Sequence, residues 1–198
     1  MSQPLSKTYF ENPDVVALAK DLIGKELTTS IDGALTSGII TETEAYAGQG
    51  DKACHAHLGR LTKRTQVMYE SGGIAYVYLC YGIHHLFNIV TNTYGNADAI
   101  LIRAIEPTQG LQKMLERRNK QKLEKSLTSG PGNLTKALGI TKSHNTKSVL
   151  GQDIWIDNPG IKIESIVETT RIGIDYAEED ANLPWRFYKQ DSKYISVK

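Results

Sequence analysis

The chain is short of several things that would have fixed its class at once. Its 198 residues include only two cysteines, Cys54 and Cys80, which form no CxxC pair and no disulfide framework. That pattern points to a reducing, cytoplasmic setting. No apolar run approaches the ~18 residues needed to span a bilayer. The opening MSQPLSKTYF lacks the apolar stretch of a secretory signal. Internal repeats and low-complexity linkers are absent. Cys54-x-x-His57 and His84-His85 are metal-ligand types, but not at the paired spacings of a structural zinc site, so no metal is expected. The formal net charge is only +1, weak for a nucleic-acid binder, whose usual footprint is a basic domain.

Distribution matters more than the total. Lys113, Arg117, Arg118, Lys120, Lys122 and Lys125 crowd one segment, which reads as a solvated helix face. Arg60, Lys63 and Arg64 form a second basic knot, and Arg60 and Arg64 are the better candidates for phosphate contact. Hydrophobic residues make up 40% and charged residues 23%, an ordinary globular profile. One domain over residues 1–198 follows from that length.

Local signals give the organisation. Asn12-Pro13 predicts a helix start, with Asn as cap and Pro at the first helical position, and Gly24 its end. Asp32-Gly33 predicts a hairpin between strands Glu26–Ser30 and Leu35–Tyr46. Ile74–Cys80 and His85–Thr91 read as strands around Tyr81-Gly82. Ala99–Ile105 is a further strand closed by Pro107, and Gly110–Lys125 a helix. Ser129–Asn133 opens a short helix that ends at Gly139. Asp153–Ile156, Ile161–Val167, Arg171–Ile174, Arg186–Tyr188 and Tyr194–Val197 read as strands. Hairpinned strands outnumber helices, which predicts an α+β fold with a mainly antiparallel sheet.

The segment from Ile39 to Arg103 carries the chemistry. Alternation places Ile40, Glu42, Glu44 and Tyr46 on one strand face. Tyr76 and Tyr78 share a face of their own strand, as core residues or as a wall for stacking a base. A carboxylate, a cation and several flat aromatic faces are the parts needed to hold a planar base and break its bond to a sugar. Each part also has a plainer use. Glu44 suits an exposed strand, Arg103 a structural ion pair, and Asn88 a strand-end hydrogen bond. Tyr81 suits packing back over its hairpin, and Gly130-Pro-Gly132 simply starting a helix.

ETEAY at Glu42–Tyr46 and YVYLCYGIHHLFN at Tyr76–Asn88 resemble the alkyladenine (3-methyladenine) DNA glycosylase family. So do SGPGNLTKALGI at Ser129–Ile140 and RIGIDYAEEDANLPWRFY at Arg171–Tyr188. The resemblance runs in order over most of the chain, and it implies one compact domain around a curved, mainly antiparallel sheet with surrounding helices and a protruding β-hairpin. It implies a monofunctional enzyme of DNA base-excision repair that flips alkylated or deaminated purines out of damaged double-stranded DNA and hydrolyses their glycosidic bonds. It assigns Glu44 the role of holding and activating water, with Arg103 and the backbone carbonyl of Ile172 beside that water. Tyr46 and His55 would form one wall of the base pocket and Tyr78 the other. Asn88 would crowd the exocyclic amine of normal guanine. Tyr81 would wedge into the stack. No cofactor is implied. A monomer in the cytoplasm, associated with the nucleoid, is expected, and tail-borne partner contacts are not.

Two loops depart from the family pattern. Thr62-Lys63-Arg64-Thr65 lacks the usual proline, and Glu70-Ser71-Gly72-Gly73 replaces a Gly-Pro-Pro-Gly. Two rival readings stand beside this one: a non-catalytic nucleic-acid-binding module of the same fold, and a carbohydrate hydrolase using Glu42 with Glu44 as its paired carboxylates, ~7 Å apart on one strand.

Overall fold

Asp32 and Gly33 both adopt positive φ, +54° and +69°, the geometry of a tight two-residue hairpin turn. They join the two strands from which the sheet grows. The computed structural model describes residues 4–197, so the outermost ends of the 1–198 span lie outside the described residues. In chain order the elements are helices α1 (Lys7–Phe10) and α2 (Val15–Asp21), then strands β1 (Glu26–Ile31), β2 (Ala34–Tyr46), β3 (Ile74–Cys80), β4 (His84–Thr91) and β5 (Asp98–Gln109). Helices α3 (Leu111–Arg118) and α4 (Pro131–Leu138) follow, then strands β6 (Leu150–Gly151), β7 (Ile154–Asp157), β8 (Ile166–Thr169) and β9 (Arg186–Lys189). All pairings are antiparallel, in the order β3-β4-β5-β2-β1-β7-β6, with β9 on β2 and β8 on β9. This is the expected α+β architecture, its sheet curled into a half-barrel. No helix among the described residues is long and apolar enough to cross a membrane.

The two faces of the sheet have different work. One carries the main core, where Leu22, Ile40, Phe87, Ile100, Ile102 and Ile105 pack with Met114 of α3 and Leu134 and Leu138 of α4. The other carries Tyr76, Val90 and Ala99 against Cys54, Ala56, Val67 and Met68 of the 50s–60s loop, with Tyr46 and Tyr78 at its margin. The candidate site lies on this second face.

Strict alternation fails at one instructive place. Register shifts flank Glu42 in its pairing with β5, so that Ile40 opposes Ile105, Glu42 opposes Ala104 and Thr43 opposes Ile102. One residue, Thr41, is extra on β2, and one, Arg103, on β5; such bulges re-aim side chains. Ile40 therefore packs in the main core while Glu42 and Glu44 meet Arg103. The expectation that Ile40 shares their face is corrected. Pro107 does not close β5 either; it lies opposite Gly38 at another register shift, where a missing N–H costs no ladder bond.

Other boundaries move for local reasons. Asp14, not Asn12, caps α2, accepting from the Ala17 N–H at 2.9 Å, while Asn12 accepts from the Asp14 N–H at 2.9 Å. Helix α3 stops at Asn119, which turns left-handed at φ 52°. Arg117 and Arg118 are half-buried rather than free on a solvated face: they donate to the carbonyls of Ile31, Ala137, Ser126 and Leu127. Residues 161–165 are not strand, and β8 begins at Ile166. Arg171–Ile174 and Tyr194–Val197 are not strands, because side chains of the buried site take up their backbone groups, as described next.

Candidate active site

Strand register sets the site in one row across the sheet. Tyr76 of β3 opposes Asn88 of β4; Asn88 opposes Leu101 of β5; Leu101 opposes Glu44 of β2; Glu44 opposes Arg186 of β9. At ~4.8 Å per strand, Asn88 and Glu44 stand about 10 Å apart across the row. Over it opens a cavity of about 610 Å³ lined by Tyr46, His55, Arg64, Tyr78, Tyr81, Asn88, Leu101, Arg103 and Ile172. The structure thus brings the sequence-predicted residues together, Arg60 excepted.

Glu44 is completely buried and sits just behind the lining. Its Oε1 accepts the Ile172 N–H at 2.8 Å and pairs with Arg103 Nη1 at 3.1 Å; its Oε2 accepts the Tyr46 hydroxyl at 2.8 Å. Ile172 thus turns its N–H, rather than its carbonyl, toward Glu44. An ionised carboxylate offers about four acceptor positions. Three are used, and one remains on Oε2. Burial, then the charge of Glu44, pushes the Tyr46 phenol well above its ordinary pKa, so it stays a donor. Burial alone would lower the Arg103 pKa; Glu44 and Glu42 overcome it and hold it above the ordinary value.

Glu42 fills a different role from that of a second catalytic acid. Arg103 Nε at 3.1 Å, Arg186 Nη1 at 3.0 Å, the Ser196 N–H at 2.6 Å and the Ser196 hydroxyl at 2.7 Å all donate to it. Fully buried and held by two arginines and Ser196, it is a partner of Arg103 rather than a second acid facing the cavity, and it does not support the carbohydrate-hydrolase reading. It anchors Arg103 from behind, and Ser196 spends its backbone N–H there rather than in a strand. A second ion pair does the same for the 171–174 loop. Arg171 Nη2 donates to Asp51 Oδ1 at 2.9 Å and its Nη1 to the Ala45 carbonyl at 2.9 Å, and its guanidinium lies 4.9 Å from the Tyr46 ring centroid. That pair aims the Ile172 N–H at Glu44.

The aromatic wall is built around His55. Its Nδ1 lies 2.8 Å from the Tyr76 hydroxyl and its Nε2 3.1 Å from Arg64 Nη2. A guanidinium has only donors, so Nε2 accepts and the proton rests on Nδ1. Burial, then the charges of Arg64 and Arg60, lowers the His55 pKa to about 4; the ring is neutral. Burial likewise pushes the Tyr76 hydroxyl up to about 12. Asn88 is held by donation to the Tyr76 carbonyl at 3.2 Å. Arg60 is exposed, and its guanidinium makes no hydrogen bond or ion pair among the described residues.

The β3–β4 hairpin projects beside the cavity. Tyr81, at its tip, is 85% exposed, with φ 49°, a strained setting for a bulky residue; Gly82 follows at φ 73°. Leu101, Asp51, Arg171, Arg186 and Ser196 were missed by sequence reasoning. Leu101 was findable, since it stands two residues before Arg103 on the same face. Asp51 and Arg171, 120 residues apart, carry no local signal. Among the described residues no group of three His, Cys, Asp or Glu side chains could hold a metal ion.

A model of the Methylpurine-DNA glycosylase (MPG) family matches residues 8–193 of this chain. Relatives named "Putative 3-methyladenine DNA glycosylase" match along nearly their whole lengths. That of Chlamydia felis is 52% identical over 184 residues, covering 92% of this chain and 94% of its own. That of Desulfitobacterium hafniense is 45% identical over 196 residues, covering 96% and 97%. That of Alkaliphilus oremlandii is 42% identical over 201 residues, covering 98% and 99%.

Proposed function

The chain belongs to the methylpurine-DNA glycosylase family, and from that premise we propose that it excises alkylated and deaminated purines from double-stranded DNA by a hydrolytic mechanism centred on Glu44. The observation that carries this reading is the buried Glu44 carboxylate, held by Arg103, the Ile172 N–H and the Tyr46 hydroxyl directly behind an aromatic-walled cavity. A damaged base must leave the stack to be reached. The cavity receives it, with Tyr46, His55 and Tyr78 as stacking faces and Asn88 narrowing the space beside a purine amine. As the base departs, positive charge builds on the sugar. Glu44 stabilises that charge and, through its remaining acceptor position on Oε2, orients a water for attack. Arg103 keeps the carboxylate in place.

Bases alkylated at a ring nitrogen, such as 3-methyladenine and 7-methylguanine, are cationic and leave easily. Neutral lesions such as hypoxanthine and ethenoadenine ask more of the same groups. No cofactor enters this scheme. The enzyme acts as a monomer on damaged duplex in the cytoplasm. Duplexes each carrying one of these lesions, incubated with the protein and scored by alkaline strand cleavage, test it. Cleavage at the lesion is expected. An intact strand on every lesion, with binding retained, would leave a non-catalytic DNA-binding module of the same fold.

A further inference from the structure

The groups assigned to the base pocket already touch one another. The His55 and Tyr78 rings meet edge to face with centroids 4.9 Å apart. A purine stacked between two rings needs two gaps of ~3.5 Å, roughly 7 Å in all. Arg64 lies on the same groups. Its guanidinium carbon is 4.5 Å from the Tyr78 ring centroid, and its Nη2 and Nε reach His55 Nε2 at 3.1 Å and the Tyr76 hydroxyl at 3.2 Å. It also lines the cavity. Among the described residues no carboxylate pairs with it. A flat cation stacked on Tyr78, with its edge spent on hydrogen bonds, has the chemistry of an alkylated purine in that position.

We propose that Arg64 is the residue by which the pocket distinguishes a base attached to a phosphate backbone from a free base: it occupies the Tyr78 face itself and leaves only when phosphates draw it away. The inference rests on reading the cavity as a purine pocket. A free base must displace Arg64 and offers it nothing in return. A base in DNA arrives with phosphates, and a guanidinium exchanges one strong set of contacts for another. After bond cleavage, Arg64 returns as the DNA departs and helps expel the product. Exposed Arg60, four residues away and unpaired among the described residues, is available to the backbone from the start.

The two settings give one substitution opposite signs. In Arg64→Ala, free 7-methylguanine and free hypoxanthine, titrated by quenching of the protein's fluorescence, should bind about 3- to 10-fold tighter, since loss of a cation–π contact is worth a factor of that order. The same variant should bind lesion-bearing duplex more weakly, with a salt slope flatter by about one. Arg64→Lys keeps the charge but not the plane, so it should tighten free-base binding while preserving the slope. Free-base affinity that is unchanged or weaker in both variants, or undetectable in all three proteins, overturns the inference. Excision by the unsubstituted enzyme, measured alongside, reports separately on the glycosylase reading, which survives that result.

Discussion

The two ends of the cavity are built on opposite principles. At the floor, Glu42 and Glu44 pair with Arg103, Glu42 also with Arg186, and Asp51 with Arg171, all of them buried. At the rim, Tyr81 stands 85% exposed at positive φ. Charges taken out of water repay their desolvation only when every partner is present, so the floor is over-determined and rigid. That suits a group that must stabilise charge as it develops. The rim leaves apolar surface and backbone strain uncompensated, as expected of parts whose partner is another molecule. Floor substitutions should therefore damage folding and chemistry together, and rim substitutions should damage function alone.

The sharpest break comes at Arg103. Arg103→Met strips donors from two buried carboxylates at once. It should cost about 3–5 kcal/mol of stability and slow single-turnover excision by about 10²- to 10³-fold. Thermal melting and single-turnover kinetics read both, and a normal melting temperature would show that the floor is not a coupled network.

Tyr81→Ala is the matching change at the rim. Flipping costs a few kcal/mol, least for a mispaired base. Excision of hypoxanthine from a well-paired site should fall by about 10- to 100-fold, and less from a mismatch, with the melting temperature unchanged. Equal losses with a lowered melting temperature would make Tyr81 a packing residue of its hairpin.

His55 joins the two regions and adds a pH term. Its pKa is about 4 in the folded protein, against roughly 6.5 in an unfolded chain. Between these values the unfolded chain binds the extra proton, so stability is fully present above about pH 6.5 and declines as pH falls toward 4. For a partly exposed ring the loss is on the order of 2 kcal/mol. Melting temperatures of His55→Gln and the unsubstituted protein, compared between pH 6.5 and 4, should converge toward the acid end. Parallel curves would mean that His55 protonates freely.

The smallest effect belongs to Ser196→Ala, which removes the hydroxyl bonded to Glu42 Oε1 at 2.7 Å and Arg103 Nη2 at 3.2 Å but keeps the backbone N–H. About 1 kcal/mol of stability and a several-fold drop in kcat are expected, with DNA affinity unchanged and activity recovered in Ser196→Thr. A loss in affinity instead would place Ser196 on the DNA face.

What could be read in the sequence follows the range of the interactions. The hairpins at Asp32-Gly33 and Tyr81-Gly82 and the helix from Pro131 to Gly139 rest on short-range turn and cap chemistry, and they appear as expected. The shared faces of Tyr76 with Tyr78 and of Glu44 with Tyr46 were legible through period-two alternation, but the register that sets Asn88 and Leu101 between them was not. The paired bulges at Thr41 and Arg103 were not, since a bulge is set by what faces it across the sheet. Nor were the structureless Arg171–Ile174 and Tyr194–Val197 segments. Their composition favours strands, but Glu44 and Glu42 claim their backbone N–H groups from more than 120 residues away. The Arg117 and Arg118 side chains were misread for the same reason: helical periodicity says nothing about distant carbonyls.

The central claim is that the charge of Glu44, rather than its shape, drives bond cleavage. Glu44→Gln tests it directly, because the amide oxygen can still accept from Arg103 and Ile172 while the amide nitrogen donates to the Tyr46 oxygen. Single-turnover excision of 7-methylguanine and hypoxanthine should be measured beside the affinity of the same variant for the same duplexes. The account predicts excision lost and binding close to that of the unsubstituted enzyme. Excision near the original rate would contradict it.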